Sequence, residues 1–316
     1  MLFSPKIDFV FKHMFASNDE RSEILLKNFL NEVLGLKEGI KEITYLNPYN
    51  NKETQDDKIS VLDLKIKDEE SREIDIEMQL NNIDNYRKRS LYYWSCMYSE
   101  TIKEGKTYEE LKKCIIINIL DFKLIKETKR YHTVYKIMEI KEKYEYIDDL
   151  ELHYIELPKF REKKTINELD MLEKWILFIK ETGMKGKEKK VEELIESEEV
   201  LKMAAQKIKE LSKDEQMRQR YLARQKALMD KRSAERYREI LLERATMNGM
   251  QKGLEEGIKK GIEKGKLEGK LEGEYKKAIE TAKNLIKHNI SRDIIIKSTG
   301  LTEKEVSDIE KQIKKS

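Results

Sequence analysis

The stretch from Ile59 to Leu80 constrains the fold of this chain more than any other. It contains two β-type segments, ISVLDLKI and EIDIEMQL, separated by the charged run KDEESR. Two alternating segments around a short polar run are typical of a β-hairpin. Because side chains alternate along a strand, the polar residues of the second segment share one face. Asp63 of the first segment can then lie across from Glu77 and Gln79.

Two carboxylates that converge from neighbouring strands offer hard oxygen ligands of the kind that Mg²⁺ or Mn²⁺ prefers. Such an ion lowers the pKa of a bound water and offsets charge that develops on a phosphate. The alternative is an ordinary hairpin with one solvated, charged face, which is common in antiparallel sheets. The spacing alone leaves both interpretations open.

Composition limits the classes of function. Lys and Arg number 64 against 61 Asp and Glu, which gives a net charge of +3. The chain is therefore not globally basic, and affinity for nucleic acid has to come from local patches. Cys96 and Cys114 lie in apolar surroundings, which predicts reduced thiols and a cytoplasmic location. The longest apolar run, 114–120, is too short to cross a membrane, so we expect no membrane partner.

Further strands are predicted around the hairpin, at 114–122, 131–140 and 150–157, with helices at 5–15, from a cap at Asn18 or Asp19 to Leu34, and at 84–103. About five strands among helices indicate an α/β sandwich. His132 and His153 have no partner at metal-ligand spacing and are interpreted as structural.

The C-terminal half is predicted to be helical. After an amphipathic helix around 169–179 and another at 197–211, residues 213–246 form a long charged helix. Seven glycines then recur at every fourth position from Gly249 to Gly273. A glycine in a helix costs roughly 0.5–1 kcal/mol relative to alanine, so the seven cost on the order of 5 kcal/mol. A helix that associates with itself or a partner and a flexible charged linker both fit this pattern.

The tail reads as three short helices, the second capped by Ser291 and the third by a Thr302–Glu305 capping box. Helices joined by a TGLT turn are similar to helix-turn-helix modules, although small helical tails often look like this. The predicted domains are a core at 1–165, a helical region at 166–246, the glycine segment at 247–276 and a module at 277–316.

The hairpin resembles the core of the PD-(D/E)XK nuclease superfamily, and most closely its Rpn branch, the recombination-promoting nucleases also described as PD-(D/E)XK nuclease-family transposases. Four further segments follow that branch in order: DFVFK at 8–12, Arg89 with the Tyr92–Tyr93 pair, LHYIELPK at 152–159, and the glycine array. The resemblance implies a restriction-endonuclease-like mixed sheet with helices on both faces, followed by a long helical C-terminal region.

The resemblance also implies roles for individual residues. Asp63 and Glu77 would hold Mg²⁺ or Mn²⁺, with the Met78 carbonyl as a third ligand. Gln79 stands where the superfamily has a lysine that orients water, a departure that is usual in the Rpn branch. An amide can hydrogen-bond water but carries no charge.

Four more residues are candidates around this centre. Asp8 approaches the metal or forms a surface ion pair with Lys12. Lys65 supplies the missing charge and contacts DNA, or it is a solvated strand lysine. Arg89 and Tyr92 lie on a helix that interleaves cations with aromatics. They either contact DNA, or Tyr92 belongs to the core and Arg89 to the solvated face of the helix.

The predicted function is a metal-dependent endonuclease that hydrolyses phosphodiester bonds in double-stranded DNA, linked by the resemblance to recombination or transposition-like events. The alternative is a DNA-binding or scaffold protein whose nuclease core has lost turnover. We further expect a homo-oligomer that assembles through the glycine array and the C-terminal module.

Overall fold

A computed structural model describes residues 2–17, 19–46, 63–81 and 85–315. Several predicted features lie outside these ranges: the Asn18 cap, the start of the hairpin at 59–62, and the first residue of the helix predicted at 84–103. The described chain separates into two units, Met1–Ala227 and Leu228–Ser316. The predicted boundaries at 165, 246 and 276 remain predictions.

The first unit is built on a mixed sheet, whose described strands are β1 (Ile43–Tyr45), β2 (Leu64–Asp68), β3 (Glu73–Gln79), β4 (Cys114–Leu120), β5 (His132–Met138) and β6 (Glu145–Glu156). The strand order is β1-β2-β3-β4-β6-β5. The three central strands β3, β4 and β6 run parallel, while β1, β2 and β5 pair antiparallel to their neighbours. Every residue of β4 is buried, as a central parallel strand requires.

The described helices are α1 (Asp8–Phe15), α2 (Glu20–Leu34), α3 (Tyr86–Glu100), α4 (Met171–Glu181), α5 (Glu188–Glu196), α6 (Glu199–Lys213), α7 (Glu215–Lys287), α8 (Arg292–Thr299) and α9 (Glu303–Lys315). Asp19 caps α2 by accepting a hydrogen bond from the Ser22 N–H, and Gly35 ends it in the left-handed conformation. The α/β class predicted for the core, with helices on both faces of a mixed sheet, is confirmed.

The hairpin is confirmed over its described residues, since β2 and β3 pair antiparallel with Lys65 opposite Asp75. The edge strand β1 was not predicted, because three residues are too few to show alternation. The helix predicted to run to residue 103 ends at Glu100. There the Thr101 hydroxyl accepts a hydrogen bond from the Lys112 N–H, which turns the chain toward β4.

The second unit differs from its sequence prediction at one point. The first of the three predicted tail helices is the end of α7, which continues unbroken through all seven array glycines to Lys287. The predicted capping box is present, because the Thr302 N–H and hydroxyl both donate to Glu305 and the Glu305 N–H donates back to Thr302. A small core, Ala282, Ile295, Leu301, Val306 and Ile309, joins α8 and α9 to the end of α7.

Candidate active site

The polar face of the β2–β3 hairpin is covered by helix α3. Asp75 is fully buried and Glu77 is 1% exposed, although both belong to the charged face of β3. Tyr86 at the start of α3 donates its hydroxyl hydrogen to Asn118 of β4, which lies opposite Glu77 in the parallel register. The solvated outer face that the sequence left open as an alternative is therefore wrong, because this sheet has helices on both sides.

Asp63 and Glu77 meet across the hairpin, as the alternation predicted. The backbone N–H of Asp63 donates to Glu77 Oε1 at 3.2 Å. The backbone N–H of Met78 donates to Asp63 Oδ2 at 3.0 Å. Each carboxylate is thus held by the partner segment, and the two groups share one small, mostly buried volume at the start of β2.

Burial and mutual repulsion perturb both carboxyl groups. Burial and, to a smaller extent, the negative charge of Asp63 together raise the pKa of Glu77 to about 7. Burial likewise raises the pKa of Asp63, while the Met78 N–H and the charge of Lys12 act in the opposite direction. Two acids that both resist ionisation in one place favour a bound cation that compensates their charge.

Gln79 belongs to the same group of side chains. Its Nε2 donates to Glu77 Oε2 at 2.8 Å, so the amide is oriented by the carboxylate that precedes it on the same face. The Met78 side chain points to the opposite, buried face of β3, which leaves only its backbone as a contributor to the site. The structure therefore brings together Asp63, Glu77 and Gln79 with the backbone of Met78.

Lys65 is neither a solvated strand lysine nor free to contact a ligand. It is 6% exposed, and its ammonium group lies 2.9 Å from Glu73 and 3.1 Å from Glu100. Burial alone would lower the pKa of Lys65, but these two partners raise it. The interpretation of Lys65 as a solvated strand lysine is wrong, because α3 carries Glu100 over this position. The two ion pairs also oppose the predicted contact between Lys65 and DNA.

Asp75 was not predicted as a site residue, yet it is the most perturbed acid in the hairpin. Neither of its carboxylate oxygens makes a hydrogen bond of standard geometry within the described part of the chain. Burial raises its pKa well above the usual value of 3.8, and the charges of Glu77 and Asp63 raise it further. In the sequence, only its position at the middle of β3, a strand with neighbours on both sides, could have indicated that Asp75 is buried.

Arg89 and Tyr92 lie on α3 with different exposures. The Arg89 Nε donates to the Tyr93 hydroxyl at 2.6 Å, and its guanidinium lies over the rings of Tyr86 and Tyr93. Its positive charge lowers the pKa of both Glu77 and Asp63, so it faces the carboxylates. Tyr92 is 44% exposed, and its ring is tilted against that of Tyr93 with centroids 6.3 Å apart.

Helix α1 contributes a cation and an acid to the rim of the site. Lys12 Nζ lies 3.8 Å from Asp63 Oδ1, whereas Asp8 is paired with Arg224, whose Nε lies 3.5 Å from Asp8 Oδ1. The surface pair between Asp8 and Lys12 is thus replaced by two separate pairs. Asp8 is close enough for its charge to raise the pKa of Asp63. Sequence spacing had missed Lys12 as a neighbour of the site.

The two histidines form a separate hydrogen-bonded chain. His132 Nε2 lies 2.9 Å from His153 Nδ1, and His153 Nε2 lies 2.7 Å from Glu151. Burial and the neighbouring His153 lower the pKa of His132 to about 4. These residues join β5 to β6, which agrees with the structural role predicted for them.

A family model for PD-(D/E)XK nuclease family transposases matches residues 5–238. The chain belongs to this family. The match includes the hairpin, α3 and the start of α7, and so covers every residue of the site described above. No curated protein and no solved structure matched the chain.

Nucleases of this family imply a divalent metal, and the donor set can be tested against that expectation. No group of three or more His, Cys, Asp or Glu side chains among the described residues is arranged as a metal site. The fit rests instead on two carboxylates with raised pKa values and adjoining backbone, an all-oxygen set suited to Mg²⁺ or Mn²⁺.

In the described part of the chain, no helix is long and apolar enough to span a bilayer.

Proposed function

We propose that this protein is a metal-dependent endonuclease that hydrolyses phosphodiester bonds in double-stranded DNA. The observation that carries the proposal is the cross-strand pairing of Asp63 and Glu77, in which each carboxylate accepts a backbone N–H from the other strand. Membership of the nuclease family supports the reaction class. A role in recombination or transposition-like events follows from the same membership.

Each residue of the candidate site would have a separate role in the reaction. Asp63 and Glu77, with the Met78 carbonyl, would hold the Mg²⁺ or Mn²⁺ ion, which supplies Lewis-acid activation of water and charge neutralisation at the phosphate. Gln79, fixed by Glu77, offers an amide to orient the attacking water. Lys12, from α1, and Arg89, from α3, provide positive charge near the carboxylates. Asp8 assists from α1, and Tyr92 offers an exposed ring to the DNA.

A plasmid-nicking assay with Mg²⁺ or Mn²⁺ tests the assignment. We expect Asp63→Ala and Glu77→Ala each to reduce nicking by at least about 100-fold, because either change removes a ligand that the other cannot replace. Glu127→Ala, which removes an exposed acid paired with Arg87, is the matched control and should nick normally. Nicking that survives both site substitutions would overturn the assignment.

The second candidate is a DNA-binding scaffold with little or no turnover. It is favoured by one observation: Gln79 replaces the superfamily lysine, and the nearest strand lysine, Lys65, is occupied by Glu73 and Glu100. DNA binding by the wild-type protein that is independent of metal, without nicking in either metal, would support the scaffold over the enzyme. A Gln79→Lys variant that gains nicking would locate the deficit at this position.

We also propose that the protein is a cytoplasmic homo-oligomer that assembles through the glycine array and the C-terminal module. The two cysteines are free, in keeping with a reducing compartment. The array glycines and neighbouring apolar residues such as Leu254, Ile258 and Ile262 are all exposed, which leaves an unpartnered stripe on α7. Sedimentation of wild type against a Gly257→Leu/Gly261→Leu variant tests this: we expect the variant to be monomeric, and an unchanged oligomer would exclude the array as the contact.

A further inference from the structure

The first turns of α7 are fixed against the N-terminal segment of the same unit. The Tyr221 ring stacks on Phe3 with centroids 4.1 Å apart and planes 7° from parallel. The backbone N–H of Ser4 donates to the Tyr221 hydroxyl at 2.9 Å, and Gln225 donates to the same oxygen. Tyr221 is buried by these contacts, so the residues on either side of it have defined directions.

Two arginines flank this anchor on the side of α1. Arg220 and Arg224 are four residues apart and therefore share one face of the helix. The Arg224 Nε lies 3.5 Å from Asp8, and the Arg220 guanidinium lies 4.7 Å from the centroid of the Phe9 ring. Together with Ala223 and Ala227 they line a cleft of about 310 Å³ beside α1. The short side chains of the two alanines take up little of its volume.

This cleft borders the carboxylate site through α1. Asp8 forms one wall of the cleft, and Lys12, one turn further along the same helix, reaches Asp63 at 3.8 Å. The segment 215–227 carries four basic residues and one acid, a local net charge of +3 within thirteen residues. The whole chain has that same net charge over 316 residues, so the start of α7 is a local basic patch of the kind that binds phosphate.

We infer that Arg220 and Arg224 bind backbone phosphates of the DNA strand that enters the Asp63–Glu77 site. The inference rests on the proposed function. It adds the start of α7 as a second DNA-binding element beside the hairpin and α3. A guanidinium presents a planar fork that matches phosphate oxygens, and phosphate contacts fix the register of a duplex on a protein. In the free protein Asp8 occupies Arg224, and an arriving phosphate competes for the same guanidinium.

The arginines are suitable for substitution because the fold does not depend on them. Both are exposed, and an exposed ion pair contributes little to stability. The anchor is made by Tyr221, Phe3 and Ser4 instead. An Arg220→Ala/Arg224→Ala variant should therefore fold, and its circular dichroism spectrum and melting curve confirm this before any binding measurement.

The experiment measures binding of the full-length protein to a fluorescein-labelled DNA duplex by anisotropy, in EDTA, over a series of KCl concentrations. We expect Arg220→Ala/Arg224→Ala to weaken binding about tenfold or more and to reduce the slope of log Kd against log salt by about 2, one unit for each phosphate that an arginine no longer neutralises. Arg220→Lys/Arg224→Lys should retain the slope but lose part of the affinity, because a point charge lacks the fork. Arg236→Ala/Arg238→Ala removes the same charge from α7 outside the cleft and is the matched control.

A cleft variant that loses no more affinity and no more slope than the control overturns the inference. Nicking of plasmid with Mn²⁺, measured on the same samples, separates this failure from failure of the proposed function. If wild type nicks DNA but the cleft variant binds like the control, the nuclease stands and the cleft assignment falls. If wild type binds without nicking and the cleft variant still loses slope, the arginines bind DNA on a scaffold. Wild-type protein that neither binds nor nicks DNA would overturn both the proposed function and the inference about the two arginines.

Discussion

The hairpin and the glycine segment are both rich in charge, yet their charged residues are in opposite environments. In β2 and β3, Lys65, Asp75 and Glu77 are buried beneath α3. In α7, every residue from Gly249 to Gly273 is exposed, and pairs such as Lys264–Glu268 lie in solvent. Whether a charged side chain is buried or solvent-exposed is thus decided by the element that covers it and not by the local sequence.

The largest expected contrast between the two regions is in the removal of one lysine. Lys65→Met leaves Glu73 and Glu100 without their buried cation, and we expect a loss of about 3–5 kcal/mol in the free energy of unfolding. Lys264→Met should cost about 0.5 kcal/mol or less, because its partner Glu268 is exposed. Urea titration followed by tryptophan fluorescence reports the first unit, which contains Trp94 and Trp175, and far-UV circular dichroism reports α7. Similar losses in the two variants would contradict the comparison.

Removing the carboxylate of Asp75 is expected to increase the free energy of unfolding, whereas removing the ammonium group of Lys65 decreases it. Its folded pKa is raised well above 3.8, so the folded state resists losing this proton and stability falls as pH rises above that value. Asp75→Asn removes this penalty and should stabilise the metal-free protein by about 1–3 kcal/mol at pH 8, with a smaller gain at about pH 5. Glu272→Gln, at an exposed site on α7, should change nothing at either pH. A destabilised Asp75→Asn variant at pH 8 would show that the carboxylate is ionised and compensated.

The pH dependence of metal binding sharpens the same contrast. Because Glu77 holds its proton up to about pH 7, a metal ion has to displace that proton at lower pH. We expect the apparent Mn²⁺ affinity to rise up to about tenfold per pH unit below 7 and to level off above it. Isothermal titration calorimetry in buffers of different ionisation enthalpy measures the released proton directly. Affinity that is flat from about pH 6 to pH 8 would mean that Glu77 is already ionised without the metal.

Glycine substitution is expected to give the smallest effect. A Cβ added at Gly257 meets no atom within 4 Å, so Gly257→Ala should stabilise the helix by about 0.5–1 kcal/mol, measured as slower amide exchange. Gly183→Ala is the contrasting variant, since its φ is +80° and its Cβ would lie 2.8 Å from the Ser4 nitrogen. It should destabilise the first unit. The expectation for Gly257→Ala applies to dilute, monomeric protein, where faster exchange would contradict it. At concentrations where the wild type is oligomeric, faster exchange in the variant would instead support the array as the contact between chains.

Much of the fold and part of the site could be predicted from local patterns. Alternation in the hairpin placed Asp63 opposite Glu77, and the dense apolar run at 114–122 predicted a central strand. These features depend on neighbours close in sequence, where strand periodicity alone fixes the face of each residue. The capping residues Asp19 and Thr302 were predictable for the same reason.

The rest depended on contacts that no local pattern contains. The burial of Lys65 requires Glu100 to arrive from α3, thirty-five residues away. The pairing of Asp8 with Arg224 requires the start of α7, and it replaced the simpler pair with Lys12 that helical spacing suggested. For the seven glycines the sequence left a helix and a flexible linker both open, because propensity argues against a helix, whereas α7 continues unbroken through all of them.

The contact between Ser4 and Tyr221 joins residues 217 positions apart in the chain. A ribosome delivers residues at roughly 5–20 per second, so the N-terminal segment waits more than about ten seconds for its partner. Until Tyr221 emerges, the Phe3 ring has no stacking surface and the arginine-lined wall beside α1 does not exist. A nascent chain that has already completed the sheet and α3 would thus hold both acidic side chains yet lack the arginine-lined side of the cleft until synthesis has passed the start of the long helix.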